Sequence, residues 1–160
     1  MTRFASLFST PSRAIPNLFP YLFLLLSWLG FLDSAYLAIE HYRGVIPSCS
    51  VIAGCEKVLT SPYSEFFGIP VALFGVLFYL AVLFLTVGYF VSKNAKLFLC
   101  ASFVPFFGLA GTLWFLYAQA FLLGAFCLYC LASAAITFAL AILSLLFFRK
   151  ILYTRKEHTQ

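Results

Sequence analysis

Leu97–Phe148 reads LFLCASFVPFFGLAGTLWFLYAQAFLLGAFCLYCLASAAITFALAILSLLFF, a run of 52 residues without Asp, Glu, Lys or Arg. As one helix, at about 1.5 Å per residue, it would be about 78 Å long, more than twice the ~30 Å hydrocarbon layer of a bilayer. The run must fold back on itself. The reading puts the turn at Gln119–Gly124, on the polar Gln119 and the flexible Gly124. That gives helices over Leu97–Ala118 and Phe126–Phe148. Pro105 removes a donor inside the first of these, and with Gly108 it is expected to bend that helix.

Two further apolar segments precede this run. Ile69–Val91 carries no charge, and Leu18–Ile39 is interrupted only by Asp33. Charged residues make up 9% of the chain, against about 25% in ordinary soluble domains. The reading is an all-α integral membrane protein, a four-transmembrane-helix bundle with a long outer loop. The first segment is too long for a signal-peptide core and lacks a following small-x-small site, so it reads as a retained helix.

Four spans put both termini on one side. Lysine and arginine favour the cytoplasmic face. With the termini inside, Arg3, Arg13, Lys93, Lys96, Arg149, Lys150, Arg155 and Lys156 are cytoplasmic, and only Arg43 and Lys57 are outside. The net charge of +5 therefore reads as segment flanks, not as a nucleic-acid footprint. The expected organisation is a cytoplasmic N-terminal segment 1–17, a four-helix domain 18–148 with an outer loop 40–68, and a basic cytoplasmic tail 149–160.

This topology brings two cysteine pairs to one membrane face. Cys49 and Cys55 flank S-V-I-A-G in the long loop, and Cys127 and Cys130 form C-L-Y-C at the start of the last span. An extracytoplasmic space permits disulfides. The loop pair taken alone is compatible with a structural disulfide, and a lone C-x-x-C with an incidental one. No metal site is expected, since His41 is the only histidine near the loop pair. At a helix start, backbone N–H groups and the helix dipole favour a thiolate. Together the pairs suggest a relay in which an external dithiol protein reduces the loop disulfide and the loop reduces the C-L-Y-C pair. A quinone dissolved in the bilayer would suit the final acceptor, as no nucleotide, haem or iron–sulfur signature offers another route. Cys100 lies near the other end of its helix and is expected to be a small buried apolar residue outside the relay.

The ordered set SAYLAIEHY, CSVIAGCEKVLTSPYSEFFGIPVALFGVLFY and LGAFCLYC resembles the vitamin K epoxide reductase family, especially its small bacterial members. The resemblance extends from about residue 18 to 148. It implies four core helices around a quinone pocket and a bacterial inner-membrane location. It implies that Cys49 exchanges with a thioredoxin-like partner, Cys55 passes electrons to Cys127, and Cys130 lies next to the quinone, ubiquinone or menaquinone. Ser61 matches the serine or threonine in the segment over the pocket. Some members carry a fused thioredoxin-like domain, so a separate extracytoplasmic partner is expected here. Vertebrate members have a tyrosine four positions after the last active cysteine. Ala134 stands there in this chain, which favours oxidation of a partner by quinone over vitamin K quinone or epoxide reduction.

Other residues have a functional reading beside an ordinary one. Asp33 is a costly intramembrane carboxylate, suited to proton relay, to loop support or to polar packing. Ser61 suits a quinone contact or turn capping within T-S-P-Y. Phe67 and Tyr129, with Phe66 and Tyr63, are candidates to line or cap the pocket. With 21 phenylalanines and 9 tyrosines, however, any single aromatic is more often packing or lipid-facing. The reading is a quinone-dependent thiol–disulfide oxidoreductase that keeps its partner oxidised. The rival is a non-catalytic membrane scaffold or transporter subunit, with both cysteine pairs structural.

Overall fold

The computed structural model describes residues 15–45 and 54–157, with side chains through Tyr153. Helix α1 is Leu18–Arg43, α2 is Cys55–Leu59, α3 is Val71–Ser92, α4 is Ala95–Tyr117 and α5 is Leu128–Glu157. Between α2 and α3 lie a 3₁₀ turn, Pro62–Ser64, and a hairpin pairing β1 (Glu65–Phe66) with β2 (Ile69–Pro70). A π-helical segment, Ala118–Leu123, extends α4. The four long helices are each long and apolar enough to cross a membrane, and the bundle is all-α apart from the hairpin.

The helix ends follow local chemistry. Gly44 closes α1 in the left-handed conformation at φ 66°, where its N–H donates to the His41 carbonyl at 3.1 Å. A tight turn at Lys93–Asn94 joins α3 to α4, and Asn94 Oδ1 caps α4 by accepting the Lys96 N–H at 3.1 Å. Buried hydroxyls have no water to turn to in a bilayer. Those of Ser27, Thr86, Ser102 and Ser144 each donate to the carbonyl four residues earlier.

Each long helix touches two others: α1 packs on α3 and α5, and α4 packs on the same two. The end nearest the α3–α4 turn is closed by aromatic rings. Phe98 meets Phe23 edge-on at 5.2 Å and Phe147 at 4.9 Å, with Tyr89 beside it. Mid-bundle, the Tyr79 ring lies directly over Gly30, where any Cβ would collide with it. From there the Tyr79 hydroxyl reaches α5, donating to the Ser133 carbonyl at 2.8 Å and lying 3.0 Å from Thr137 Oγ1. One tyrosine thereby ties α1, α3 and α5 together.

Several boundaries differ from the sequence reading. Gln119 does not open a turn. The helical path runs on to Leu123, and the reversal occupies Gly124–Cys127. Helix α5 continues to Glu157, past Phe148 where the sequence reading ended the last span, so residues 149–157 extend that helix. Ile69 and Pro70 form β2 and do not begin α3. Cys100 is exposed on the bundle surface, not buried, because its side of α4 faces away from the other helices.

Candidate active site

The α1–α3 connection and the α4–α5 reversal meet at one end of the bundle. Helix α2 lies against that reversal. Gly54, just before α2, approaches so closely that a Cβ there would stand 2.5 Å from the Phe126 carbonyl oxygen. The result is one buried cluster in which Cys55, Val58 and Cys127 pack with Leu59, Phe115, Leu123, Tyr129 and Cys130. Cys55 is 2% exposed and Cys127 is fully buried. Cys55 is disulfide-bonded, whereas Cys127 and Cys130 are free thiols. Cys49 lies outside the described residues.

Cys127 sits at the cap position of α5. Its carbonyl accepts the Leu131 N–H at 3.0 Å, and its sulfur accepts the Cys130 N–H at 3.5 Å. The sulfur takes the place of the usual serine or aspartate oxygen in satisfying a free helix N–H. The Cys127 pKa is lowered to about 7, chiefly by the Cys130 thiol donating to it, with help from the backbone N–H groups of Cys130 and Tyr129 and against the effect of burial. A lowered thiol pKa means that a large share of Cys127 is thiolate at neutral pH, the nucleophilic form.

Behind the C-L-Y-C pair, a largely apolar cavity of about 400 Å³ opens between the helices. Leu37 of α1, Phe78 and Tyr79 of α3, Phe107 and Phe115 of α4, and Cys130, Ala134 and Thr137 of α5 line it, with Leu59 and Ser64 from the loop. Gly111 also lines it, and a Cβ at that position would meet nothing within 4 Å. Phe107, at the rim, is 80% exposed on the outer surface. A cavity of this size and polarity accommodates a flat apolar ring.

The residues read from sequence occupy different places around this cavity. Cys130 lines it. Tyr129 instead packs beside Cys55 and Cys127, its ring 5.3 Å from that of Tyr36. Ser61 is buried in a neighbouring cleft over the loop, and its hydroxyl donates to the Val58 carbonyl at 2.7 Å. Phe67 is 91% exposed at the hairpin tip and lies outside the cavity lining. Asp33 has one carboxylate oxygen buried without a partner among the described residues, and lies near enough to act electrostatically on Cys127.

Sequence reading passed over Gln119 as a turn residue. It is fully buried, lines the cavity, and its Oε1 accepts the Cys127 N–H at 2.9 Å. The available signal was that Gln119 is the one carboxamide in the 52-residue uncharged run. A polar group in that setting is rarely idle.

A polytopic helical bundle with a disulfide-bonded loop cysteine packed beside the free thiols of Cys127 and Cys130 is the arrangement of a membrane oxidoreductase with cysteines positioned for redox chemistry. The model of the vitamin K epoxide reductase family matches residues 21–145. The chain belongs to that family. No curated protein matches it closely enough to add to this assignment.

Proposed function

We propose that the protein is a thiol:quinone oxidoreductase that reoxidises a separate thioredoxin-like protein outside the cytoplasm and so supports disulfide formation. The observation that carries this reading is the run of sulfur from loop to cavity: Cys55 and Cys127 share one buried cluster, and Cys130 borders the cavity. In a scaffold, two structural pairs would have no reason to adjoin an apolar chamber.

In this reading the partner's dithiol reduces a Cys49–Cys55 disulfide. The Cys55 thiolate attacks Cys127 of an oxidised C-L-Y-C pair, and Cys130 leaves as thiolate. Cys49 then closes on Cys55 and releases Cys127. Reforming the Cys127–Cys130 disulfide releases two electrons and two protons, which a quinone held beside Cys130 would accept. The cavity fits such a group: its walls are apolar, Cys130 borders it, and the buried Gln119 Nε2 lacks an acceptor among the described residues. Phe107 and Gly111, both on α4, line the cavity, and Phe107 is also exposed on the outer surface, where a lipid-soluble tail would lie. Ala134, on the cavity wall, offers no hydroxyl of the kind a tyrosine would bring, in keeping with a quinone rather than an epoxide as oxidant.

The excess of lysine and arginine on the flanks assigned to the inside supports an orientation with both termini cytoplasmic, and the resemblance to small bacterial family members goes with a bacterial plasma-membrane location. The loop and both pairs then face the oxidising side. The test is quinone reduction by purified protein supplied with a reduced thioredoxin-like protein, comparing the parent with Cys130→Ala. Partner-dependent turnover in the parent and its loss in Cys130→Ala are expected. Equal turnover in the two rejects Cys130 as the terminal thiol.

A further inference from the structure

The Gln119 carboxamide is held so that only one of its two ends is used. Its Oε1 accepts the Cys127 N–H at 2.9 Å, which fixes the orientation of the amide, because the nitrogen end cannot accept that bond. Its backbone is fixed as well: the Gln119 carbonyl accepts the Ala125 N–H at 3.1 Å and also the Gly124 N–H. The segment it opens into is π-helical, a geometry found disproportionately at functional sites. The side chain is fully buried, and Nε2 finds no acceptor among the described residues. A buried donor left without a partner costs about 1–3 kcal/mol, so a position that keeps one usually meets an acceptor in the working state. Gln119 borders the same cavity as Cys130. Apart from the carboxamide, the hydroxyls at the cavity wall on α3 and α5 are already engaged, since Tyr79 bonds with Ser133 and Thr137.

We propose that Gln119 Nε2 donates a hydrogen bond to a carbonyl oxygen of the quinone, while Oε1 holds the Cys127 backbone. This rests on the thiol:quinone reading and assigns its acceptor-side contact. As Cys127 and Cys130 form their S–S bond, two electrons and two protons leave the thiols, and negative charge builds on the carbonyl oxygens before protonation. Gln119 supplies no proton. It offers a preoriented dipole where that charge appears, in a site with little water to compete. One side chain therefore fixes the spacing between the dithiol and its oxidant.

The test uses the whole protein with menaquinone or ubiquinone carrying ¹³C at a carbonyl. Infrared difference spectra report the C=O stretch of the bound quinone. In the parent the band is expected below its position in hexane, and in Gln119→Leu it moves back toward that position. Steady-state kcat/KM for quinone is expected to fall about a hundredfold in Gln119→Leu, the usual scale for one lost donor of this type. A second measurement needs no variant: the side-chain amide signal of ¹⁵N-glutamine-labelled protein shifts on adding quinone, and shifts less when the dithiol is oxidised by diamide alone. If quinone oxidises Cys127–Cys130 in the parent but the band is unshifted from hexane, or equally shifted in both proteins, the Gln119 assignment is overturned while the thiol:quinone reading stands. If the parent neither binds quinone nor is oxidised by it, that reading fails and the assignment falls with it.

Discussion

Gly54 and the backbone of Phe126 are in such close contact that a Cβ on residue 54 would lie 2.5 Å from the Phe126 oxygen. That contact seats α2, and with it Cys55, on the reversal carrying Cys127. Gly54→Ala must push the two apart. We expect exchange between Cys55 and Cys127 to slow about ten- to a hundredfold, the cost of a misplacement on the ångström scale. Oxidation of the Cys127–Cys130 dithiol by added quinone should be unaffected. Stopped-flow measurement of the two half-reactions separates them.

Cys127 should titrate near neutrality. Its pKa is lowered to about 7, so it is mainly thiolate above that pH and mainly thiol below it. Ultraviolet thiolate absorbance, with Cys127→Ser as the blank, reads this directly. Because the Cys130 thiol is the first cause of the lowering, Cys130→Ala should move the midpoint upward. The negative charge of Asp33 acts the other way, so Asp33→Asn should move it downward. An unchanged midpoint in both variants would remove the electrostatic account of this thiol.

The sequence made some of this plain and hid the rest for physical reasons. An uncharged run too long for one crossing had to become two helices, and the charge asymmetry of the flanks needed no structure. The reversal was misplaced because Gln119 is polar, and polar residues suit turns. Here its polarity is absorbed by the Cys127 N–H, so the helix can continue past it. Helix α2 and the hairpin were invisible because elements of five and two residues have little stability of their own. They exist through packing on the bundle end. Phe67 was one of several aromatics that could line or cap the pocket, yet its φ of 54° belongs to the hairpin turn, and the residue lies outside the cavity lining.

The cavity itself can be filled. Gly111 lies on α4 with open space where a side chain would go. Gly111→Phe should raise the KM for quinone at least about tenfold, equal to about 1.4 kcal/mol of binding. Exchange of the loop disulfide with a thioredoxin-like protein should not change, since Cys55 is not among the residues that line the cavity. Equal loss of both activities would point to disruption of the bundle rather than of the cavity.

Tyr79 tests the bundle independently of the thiols. Its hydroxyl joins α3 to Ser133 and Thr137 on α5. Polar bonds between membrane helices average about 0.6 kcal/mol and reach about 1.7. Tyr79→Phe should destabilise the protein within that range, measured by reversible unfolding in detergent, with the fold retained. A much larger loss would mean that the hydroxyl cluster does more than tie two helices.

The meeting of Cys55 with Cys127 is the step that joins the loop pair to the C-L-Y-C pair. The most direct measurement is made on the Cys49→Ser, Cys130→Ser double variant, oxidised mildly in the membrane and analysed by mass spectrometry of its peptides. A Cys55–Cys127 disulfide as the main product is the result this account predicts. If both thiols stay free, or Cys55 pairs only with added reagent, the loop does not deliver electrons to the bundle and the account is contradicted.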